Sequence, residues 1–342
     1  MPVSLREVSI DAKCSISTAS RALSGNTSIS VATRRRVEAS ARRLGYEANG
    51  IARSLRLQSS RLIGLVIPRV EAYNYTAGTA RLHDVLSAEG YQLIVCCHND
   101  DPELDRQILH RLVAQRVDGI VHVPCSTQGA QSVINANSRI PVVELLRHSD
   151  WARVDGATTD AEAGIYELTR HLVDRGHRRI ALVTGTGFGS GEQYNERVNG
   201  FRRAIAPAGI LEDEYTMCIG NFDIEAGRVA ARQLLNRGLS SFPTAIVTGS
   251  APLTLGVIET LHYEGVPVPK FVSIASLANV EWASAMNPPI TTYELPLAEM
   301  GMLAAQMVLD RIRPQPHTDA RPSRVLLAGR LVLRESTASP RR

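Results

Sequence analysis

Residues 15–23 have the sequence Ser-Ile-Ser-Thr-Ala-Ser-Arg-Ala-Leu, and they decide how the N-terminal part of the chain is interpreted. On a helix, Ala19, Ala22 and Leu23 lie on one side, because they are three or four positions apart. The serine and threonine side chains between them are short and polar, so the backbone of this helix can approach a flat polar surface closely. The pattern predicts a short helix with one side packed and the other available for contact.

Two further helical patterns flank this stretch. Leu5, Val8 and Ala12 are spaced for one helix face, and Thr33, Val37, Ala41 and Leu44 are spaced for another. Only two residues separate Ala12 from the stretch at 15–23, which is enough for a tight turn. A helix, a tight turn, a second helix and a supporting third helix form the helix-turn-helix motif, whose second helix lies in the DNA major groove.

The distribution of charge agrees with a nucleic-acid partner. Residues 1–60 contain ten Arg and Lys residues and four acids, a net charge of +6, whereas the whole chain has +4. Positive charge concentrated in one terminal segment is expected of a domain that binds phosphates. The alternative is a basic, solvated surface on a small helical domain, and the spacing of the three helices makes that alternative less favourable.

The chain resembles the LacI/GalR family of transcriptional regulators over Val3–Leu57, and the resemblance continues almost to the C-terminus. The matching segments occur in the family's order: Leu5–Val8, Ser15–Gly25, Thr33–Val37, Leu44–Tyr46, Asn49 and Ala52–Arg56. One departure lies in the turn, where the family usually has Ala-Gly-Val-Ser and this chain has Ala-Lys-Cys-Ser. Loss of the glycine is expected to strain the turn without removing the motif.

The resemblance implies a helix-turn-helix DNA-binding domain at 1–47 and a hinge helix with linker at 48–60. It also implies which residues contact DNA, namely Ser15, Ile16, Ser17, Thr18, Ser20 and Arg21 in the second helix, and Asn49, Arg53 and Leu55 in the hinge. In the family, the hinge leucine enters the minor groove between base pairs and bends the duplex. The alternative is that Leu55 is a core residue, but so short and basic a segment offers it no core.

From residue 62 the chain alternates strand and helix patterns. Unbroken apolar runs such as 62–67 indicate buried strands of a parallel sheet. The resulting fold class is α/β, with an N-terminal helix-turn-helix head and a periplasmic-binding-protein-like pair of doubly wound parallel-sheet lobes. The body covers 61–342, with lobe 1 at about 61–158 and 294–322, and lobe 2 at about 159–292 and 323–336. A last strand is predicted at Val325–Arg334, followed by a frayed tail from Ser336.

The resemblance places an effector site in the cleft between the lobes. The residues at the matching positions are Tyr73, Asn74, Tyr75, Asp100, Arg147, Asp160, Arg197, Phe222, Ser250 and Asn279. Arg197 begins the family's R-x-x-G-F motif, whose arginine holds a ligand hydroxyl or carboxylate. A surface arginine on an amphipathic helix is the alternative for Arg197. For Asp100 and Asn74, binding and purely structural roles remain equally open.

Two departures bear on the class of effector. Ser250-Ala251 replaces the family's usual Asn-Asp, and 276–279 replaces Gly-Phe-Asp-Asp, so that Ala278 stands where an acid often binds sugar hydroxyls. Loss of that acid, with Arg197 retained and Arg147 at a strand end facing the same cleft, favours a sugar acid or sugar phosphate over a neutral sugar. Asp100 and Asp160 argue against this hypothesis unless they face hydroxyls at the far end of the ligand.

No motif indicates an enzyme, a cofactor or a metal site. The glycines at 185–191 do not have G-x-G-x-x-G spacing, and the nine histidines form no catalytic or metal-binding motif. The five cysteines include no C-x-x-C pair, which indicates reduced thiols. Neither a signal peptide nor a membrane-spanning run is recognisable, so we expect a cytoplasmic protein with no membrane contact.

The predicted protein is a homodimer that binds double-stranded operator DNA at a near-palindrome and responds to a small-molecule effector, most often as a repressor. The alternative is a periplasmic-type small-molecule-binding protein without DNA function. That alternative predicts a signal peptide and no basic head, and both predictions fail, because no signal peptide is recognisable and residues 1–60 carry a net charge of +6.

Overall fold

The computed structural model describes residues 3–24, 28–46, 59–70, 73–125, 140–147, 149, 154–185, 192–211, 214–238, 240–277, 280–313 and 322–341. The chain forms two compact units, Met1–Ser60 and Arg61–Arg342. They are called the head and the body below, and each has its own buried apolar core.

Three helices make up the described part of the head. Their bounds are Leu5–Asp11 (α1), Ile16–Leu23 (α2) and Val31–Leu44 (α3). Each begins after a serine whose hydroxyl accepts a backbone N–H from the first turn, namely Ser4, Ser15 and Ser30. Such caps satisfy donors that have no partner within the helix. The helices pack around small apolar side chains, including Ala19, Ala22 and Val37.

The described part of the body contains two six-stranded sheets. The strands are Leu62–Ile67 (β1), Gln92–Cys97 (β2), Gly119–His122 (β3), Val142–Leu146 (β4), Asp155–Thr159 (β5), Ile180–Gly185 (β6), Tyr215–Gly220 (β7), Ala245–Thr248 (β8), Ser273–Leu277 (β9), Thr291–Glu294 (β10), Arg324–Leu327 (β11) and Arg330–Val332 (β12). The helices are Tyr73–Ala88 (α4), Pro102–Ala114 (α5), Ala161–Asp174 (α6), Glu192–Ile205 (α7), Ile224–Leu235 (α8), Ala251–Tyr263 (α9), Trp282–Ala285 (α10) and Leu297–Ile312 (α11).

The strand order is β2-β1-β3-β4-β5-β11 in the first sheet and β7-β6-β8-β9-β10-β12 in the second. All paired strands are parallel except β12, which runs antiparallel to β10. The two sheets have the same order around β1 and β6, as two doubly wound lobes require. The predicted fold class is therefore confirmed.

Strand β5 was not predicted from the sequence. Its residues, Asp-Gly-Ala-Thr-Thr, resemble a turn more than a buried strand, yet four of the five are buried between β4 and β11. The carboxylate of Asp155 accepts hydrogen bonds from Arg311 Nε at 2.6 Å and Ser323 N at 2.7 Å. Burial of this polar strand is possible because its charged end is paired.

The chain crosses between the lobes in a way that corrects the predicted boundaries. Val325–Arg334 is not one strand: β11 pairs with β5 in the first sheet, and β12 pairs with β10 in the second. Residues 324–327 therefore belong to lobe 1 and not, as predicted, to lobe 2. A Cβ on Gly329 would lie 2.4 Å from the ring of Tyr293, so the crossing requires a residue without a side chain. The lobe ends near 159 and 294 shift likewise, since Thr159 ends β5 and Glu294 ends β10.

The segment predicted as a frayed tail is packed against lobe 2. Ser336 is fully buried. Its hydroxyl donates to Ile274 O at 2.6 Å and accepts from Thr291 N at 2.7 Å. These bonds join β9 and β10 through one side chain, so the prediction of a frayed segment from Ser336 is wrong. The segment has no apolar periodicity, so its attachment to lobe 2 through hydrogen bonds could not be predicted from the local pattern.

We expect Ser336→Ala to lower the free energy of unfolding of the body by about 1 to 3 kcal/mol, because it leaves a buried carbonyl and a buried N–H unpaired. Urea unfolding monitored by circular dichroism measures the change. Ser284→Ala is the matched control: its exposed hydroxyl donates to Glu281 O within its own turn, and its loss should change stability by less than about 0.5 kcal/mol. Equal effects of the two substitutions would contradict the anchoring role.

Candidate nucleic-acid interface and effector cleft

The predicted DNA-contacting residues of the second helix lie on the outer side of α2. Ser15, Ile16, Ser17 and Arg21 are exposed, and Thr18 and Ser20 are intermediate in exposure. The opposite side carries Ala19 and Ala22, which are no more than 1% exposed. The side chain of Ile16 is 49% exposed on this otherwise polar surface. An exposed aliphatic group at that place is suited to contact a thymine methyl.

Ser15 also has a structural role. Its hydroxyl accepts from Thr18 N at 3.1 Å and lies 2.9 Å from Ser17 Oγ and 2.8 Å from Thr18 Oγ1. The hydroxyls at the start of α2 are therefore held in a small network, and their orientation is set before any ligand arrives.

The turn between α1 and α2 keeps the geometry that a glycine usually provides. Lys13 has φ +48°, in the left-handed region. A non-glycine residue costs roughly 1 to 2 kcal/mol in that conformation. Cys14 N nevertheless donates to Ser9 O at 3.0 Å, and Arg36 Nε on α3 donates to Ala12 O at 2.9 Å. One bond back to α1 and one from α3 thus hold the turn in the strained conformation expected from the sequence.

Arginines on α2 and α3 supply the positive surface of the head. Arg21, Arg35 and Arg42 are exposed, and Arg43 forms an ion pair with Asp11. The predicted hinge contacts Asn49, Arg53 and Leu55 lie outside the described residues.

In lobe 1, the structure brings together two of the predicted effector residues. Asp100 follows β2 and Arg147 follows β4, and Arg147 Nη1 donates to Asp100 Oδ1 at 2.9 Å. The parallel strands explain this meeting, since their carboxyl ends share one edge of the sheet. Tyr75, near the start of α4, is 8% exposed, and burial raises its pKa. Tyr73 and Asn74 begin the same helix, but their side chains lie outside the described residues.

In lobe 2, Arg197 on α7 lies between a backbone carbonyl and an aromatic ring. Its Nε donates to Gly249 O at 3.4 Å, and its Cζ is 4.9 Å from the centre of the Phe222 ring. Phe222 is seated against Gly185, where a Cβ would lie 2.4 Å from the ring. Burial lowers the pKa of Arg197 to about 10, opposed by Glu196. The guanidinium therefore lies in a partly dehydrated position where an acceptor group would be strongly bound.

The two lobes approach each other at these residues. The pKa of Arg147 is depressed by burial but raised more by Tyr75 and Asp100. The positive charge of Arg147 in turn contributes to lowering the pKa of Arg197, and both arginines act on Tyr75. Side chains from both lobes thus share one electrostatic environment in the cleft.

The remaining predicted effector residues differ in what they can offer. Asp160 caps α6, with Oδ1 accepting from Ala163 N at 2.7 Å, so this carboxylate already has a structural partner. Ser250 stands at the N-cap of α9 and is 2% exposed, but its hydroxyl makes no capping hydrogen bond. Asn279 lies outside the described residues.

Comparison with known proteins agrees with this architecture. A family model for bacterial regulatory proteins of the lacI family matches residues 4–49, and a model for a periplasmic binding protein-like domain matches 169–337. The HTH-type transcriptional repressor PurR of Vibrio cholerae serotype O1 is 29% identical over 315 residues, or 92% of each chain. Catabolite control protein A of Priestia megaterium is 26% identical, covering 98% of this chain and 100% of that relative. A crystal structure of the lac repressor dimer bound to operator and the anti-inducer ONPF has a TM-score of 0.85 at 25% identity, covering 99% of this chain and 100% of that one.

The chain belongs to the LacI family of bacterial regulatory proteins. As a LacI family member it is a DNA-binding repressor with an effector-binding domain, and its relatives are transcription regulators and not enzymes. In the part of the chain that the structure describes, no helix has the length and apolar character needed to span a membrane.

Sequence reasoning from the LacI family motifs missed Thr184, at the carboxyl end of β6. A Cβ on Gly249 would lie 2.6 Å from Thr184 Oγ1 and 3.3 Å from Arg197 Cδ, so these three residues converge. Thr184 is 0% exposed, and its hydroxyl has no hydrogen-bond partner in the structure as described. A polar residue at the end of an otherwise apolar strand was the available signal.

One group of side chains in lobe 1 has the composition of a metal site. One potential ligand atom each from His98, Asp100 and Cys125 lie within 4.8 Å of one another. His98 Nε2 is 3.0 Å from Val123 O, and Nδ1 accepts from Asp100 N at 3.1 Å. Burial raises the pKa of Cys125 to about 12. A metal ion would have to displace these contacts and the ion pair of Asp100, so the geometry favours the structural interpretation.

Proposed function

We propose that this LacI family member is an effector-responsive repressor that binds a near-palindromic operator as a homodimer. The observation that carries the proposal is the outer side of α2: contact residues are exposed on a helix whose other side is packed, within a head of net charge +6. Its target is chromosomal DNA, so it acts in the cytoplasm.

The side chains of α2 divide into two roles. Ile16 and Ser17, in the first turn, reach base edges, with Ile16 against a thymine methyl. Thr18, Ser20 and Arg21 contact bases or phosphates, and the arginines of α3 add sequence-independent attraction to the backbone. Because a two-fold dimer presents two such helices, it requires a two-fold site.

Exposed apolar residues on the body support the homodimer. Val95 on β2 is 42% exposed, Ile219 on β7 is 39% exposed and Val229 on α8 is 41% exposed. Strands β2 and β7 are the edge strands of their sheets. Apolar side chains on edge strands are suited to burial against a second copy. The structural relative cited above is itself described as a dimer bound to operator.

The effector acts by changing the angle between the lobes. Among the described residues, the chain passes from one lobe to the other close to residues 160, 295 and 328. A ligand that contacts Arg147 in one lobe and Arg197 in the other binds one lobe arrangement better than another. Such differential binding shifts a two-state equilibrium and, through the hinge at 48–60, alters affinity for operator.

Selection of bound sequences from random DNA tests this proposal, followed by gel-shift titration with small molecules. We expect a palindromic consensus with 2:1 protein-to-DNA stoichiometry, whose binding changes with one ligand. Recovery of no consensus by the intact protein, together with tight binding of a small molecule, would instead support the binding-protein alternative.

We expect Leu55→Ala to weaken specific binding far more than non-specific binding, since only a bent, specific complex uses an inserted side chain. Anisotropy titrations with operator and with scrambled DNA of equal length measure the two affinities, and circular-permutation gels measure the bend. An equal loss on both duplexes, with the bend unchanged, would make Leu55 a structural residue.

A further inference from the structure

The N-terminus of α9 faces the convergence of Thr184, Gly249 and Arg197. The helix spans 13 residues, Ala251–Tyr263, and begins directly after Ser250. The backbone N–H groups of a first helical turn have no partners within the helix, and they favour negative charge. Here the N-cap side chain does not satisfy any of them.

Two buried hydroxyls at this helix end have no hydrogen-bond partner among the described residues. Thr184 Oγ1 and Ser250 Oγ belong to side chains that are 0% and 2% exposed. Buried hydroxyl groups are nearly always paired in folded proteins, so two unpaired ones at one place point to a ligand group. As donors, both can serve an anionic oxygen.

Neighbouring hydroxyls hold this end of α9 in position. Thr254 Oγ1 donates to Ser250 O at 2.8 Å and lies 2.6 Å from Thr248 Oγ1. The first turn of α9 is thereby fastened to the carboxyl end of β8. The donors are therefore arranged before a ligand binds, which reduces the entropy lost on binding.

Arg197 adds a positive charge to these donors. Its Nε is fixed on Gly249 O and its guanidinium lies over Phe222. Guanidinium groups pair with carboxylates and phosphates through parallel hydrogen bonds. Position 249 requires glycine, because a Cβ there would collide with Thr184 Oγ1 at 2.6 Å.

The carboxylates near the cleft are already engaged. Asp160 caps α6, and Asp100 pairs with Arg147. Glu196 precedes Arg197 on α7, and its negative charge raises the pKa of Arg197, so a bound anion would share this guanidinium with Glu196. The two acids that argue against an acidic ligand in the sequence therefore do not oppose it in the structure.

We propose, on the basis of the effector-responsive function above, that the effector carries a carboxylate or phosphate monoester, bound at the N-terminus of α9 by Arg197 and the hydroxyls of Thr184 and Ser250. The remainder of the ligand extends toward Tyr75 and the Asp100–Arg147 pair of lobe 1. A single anion would then bridge the lobes through its two ends.

Calorimetric titration of the full-length protein with matched ligands tests the charge. The pairs are glucose with gluconate, glucose with glucose 6-phosphate, and ribose with ribose 5-phosphate; inorganic phosphate alone tests the anion subsite. We expect the charged member of at least one pair to bind more than about 10-fold tighter than the neutral one. Comparison between carboxylate and phosphate pairs distinguishes the two sources of the anion.

Substitutions test the location. Ser250→Ala and Thr184→Val should each weaken the anionic ligand by about 5- to 20-fold and leave a neutral partner unaffected. Arg197→Gln should abolish the preference, and Arg197→Lys should restore part of it. The exposed Ser284→Ala variant is the control with unchanged affinity.

Operator binding without ligand is measured for every variant, so that the two proposals fail separately. Neutral sugars that bind as tightly as their charged partners would overturn the anion proposal, while intact operator binding would keep the repressor function. The anion proposal would also be overturned if phosphate and the acidic probes raised the unfolding temperature of the wild type no more than that of Ser250→Ala. Loss of operator recognition by the wild type would instead contradict the proposed function.

Discussion

A protein lacking residues 1–60 should lose all measurable operator binding and keep its stability and its ligand binding. The reason is that the head and the body are separate compact units with separate cores, and the basic excess lies in the head. Fluorescence anisotropy with labelled operator measures the loss, and thermal unfolding with calorimetry measures what remains. Undiminished DNA affinity of the truncated protein would refute the assignment of the head.

A matched variant separates charge from recognition in this experiment. Full-length protein carrying Ile16→Ala and Ser17→Ala keeps every arginine, so it should lose specific binding and retain non-specific binding. For the unmodified protein, operator affinity should fall by about 1000-fold between 50 and 200 mM salt if six or more phosphates are contacted. A flat salt dependence would mean that the basic surface of the head does not face the duplex.

Gly301→Ala should destabilise the body by about 2 to 3 kcal/mol, the second large effect that we expect. Helices α4 and α11 cross in lobe 1 with their backbones in contact, and a Cβ on Gly301 would lie 2.0 Å from Gly78 O. Because the atoms nearest to the new methyl group are backbone atoms of Gly78, the collision can be relieved only by separating the two helices. The free energy of unfolding, from urea titration of the full-length protein, checks this expectation.

Glu299→Ala is the control for Gly301→Ala. Glu299 is exposed on the same helix, so its replacement adds the same alanine without a collision and should change stability by less than about 0.5 kcal/mol. A Gly301→Ala protein as stable as the wild type would show that the helices are not held at this close approach.

The sequence alone predicted those helices and strands whose spacing of apolar residues matches the side that is buried. The apolar run at β1 and the period of α11 gave both elements with their observed bounds. Strand β5 was not predicted, because its burial depends on the pairing of Asp155 with Arg311, which is 156 positions away. The division of 325–334 into β11 and β12 was not predicted, because a local strand pattern does not identify the sheet that each half joins.

The same limit applies to the site. Arg197 was found because its neighbours form a recognisable motif, and its contact with Phe222 follows from that position. Thr184 was missed, and the orientation of the Ser250 hydroxyl was not predictable, because both depend on where α9 begins relative to β6. Pairing of Asp100 with Arg147 likewise arises from two strands that meet only in the folded sheet.

The division of β11 and β12 between the two sheets has a consequence for synthesis on the ribosome. Each lobe receives an edge strand from residues 324–332, and Ser336 then joins β9 to β10. Neither sheet can acquire its full set of strands while those residues remain in the exit tunnel, although the head can already fold. A premature stop codon near residue 323 would therefore release a chain with a finished DNA-binding head and two incomplete lobes. Such a product would be a target for proteases and would not act as a shortened regulator.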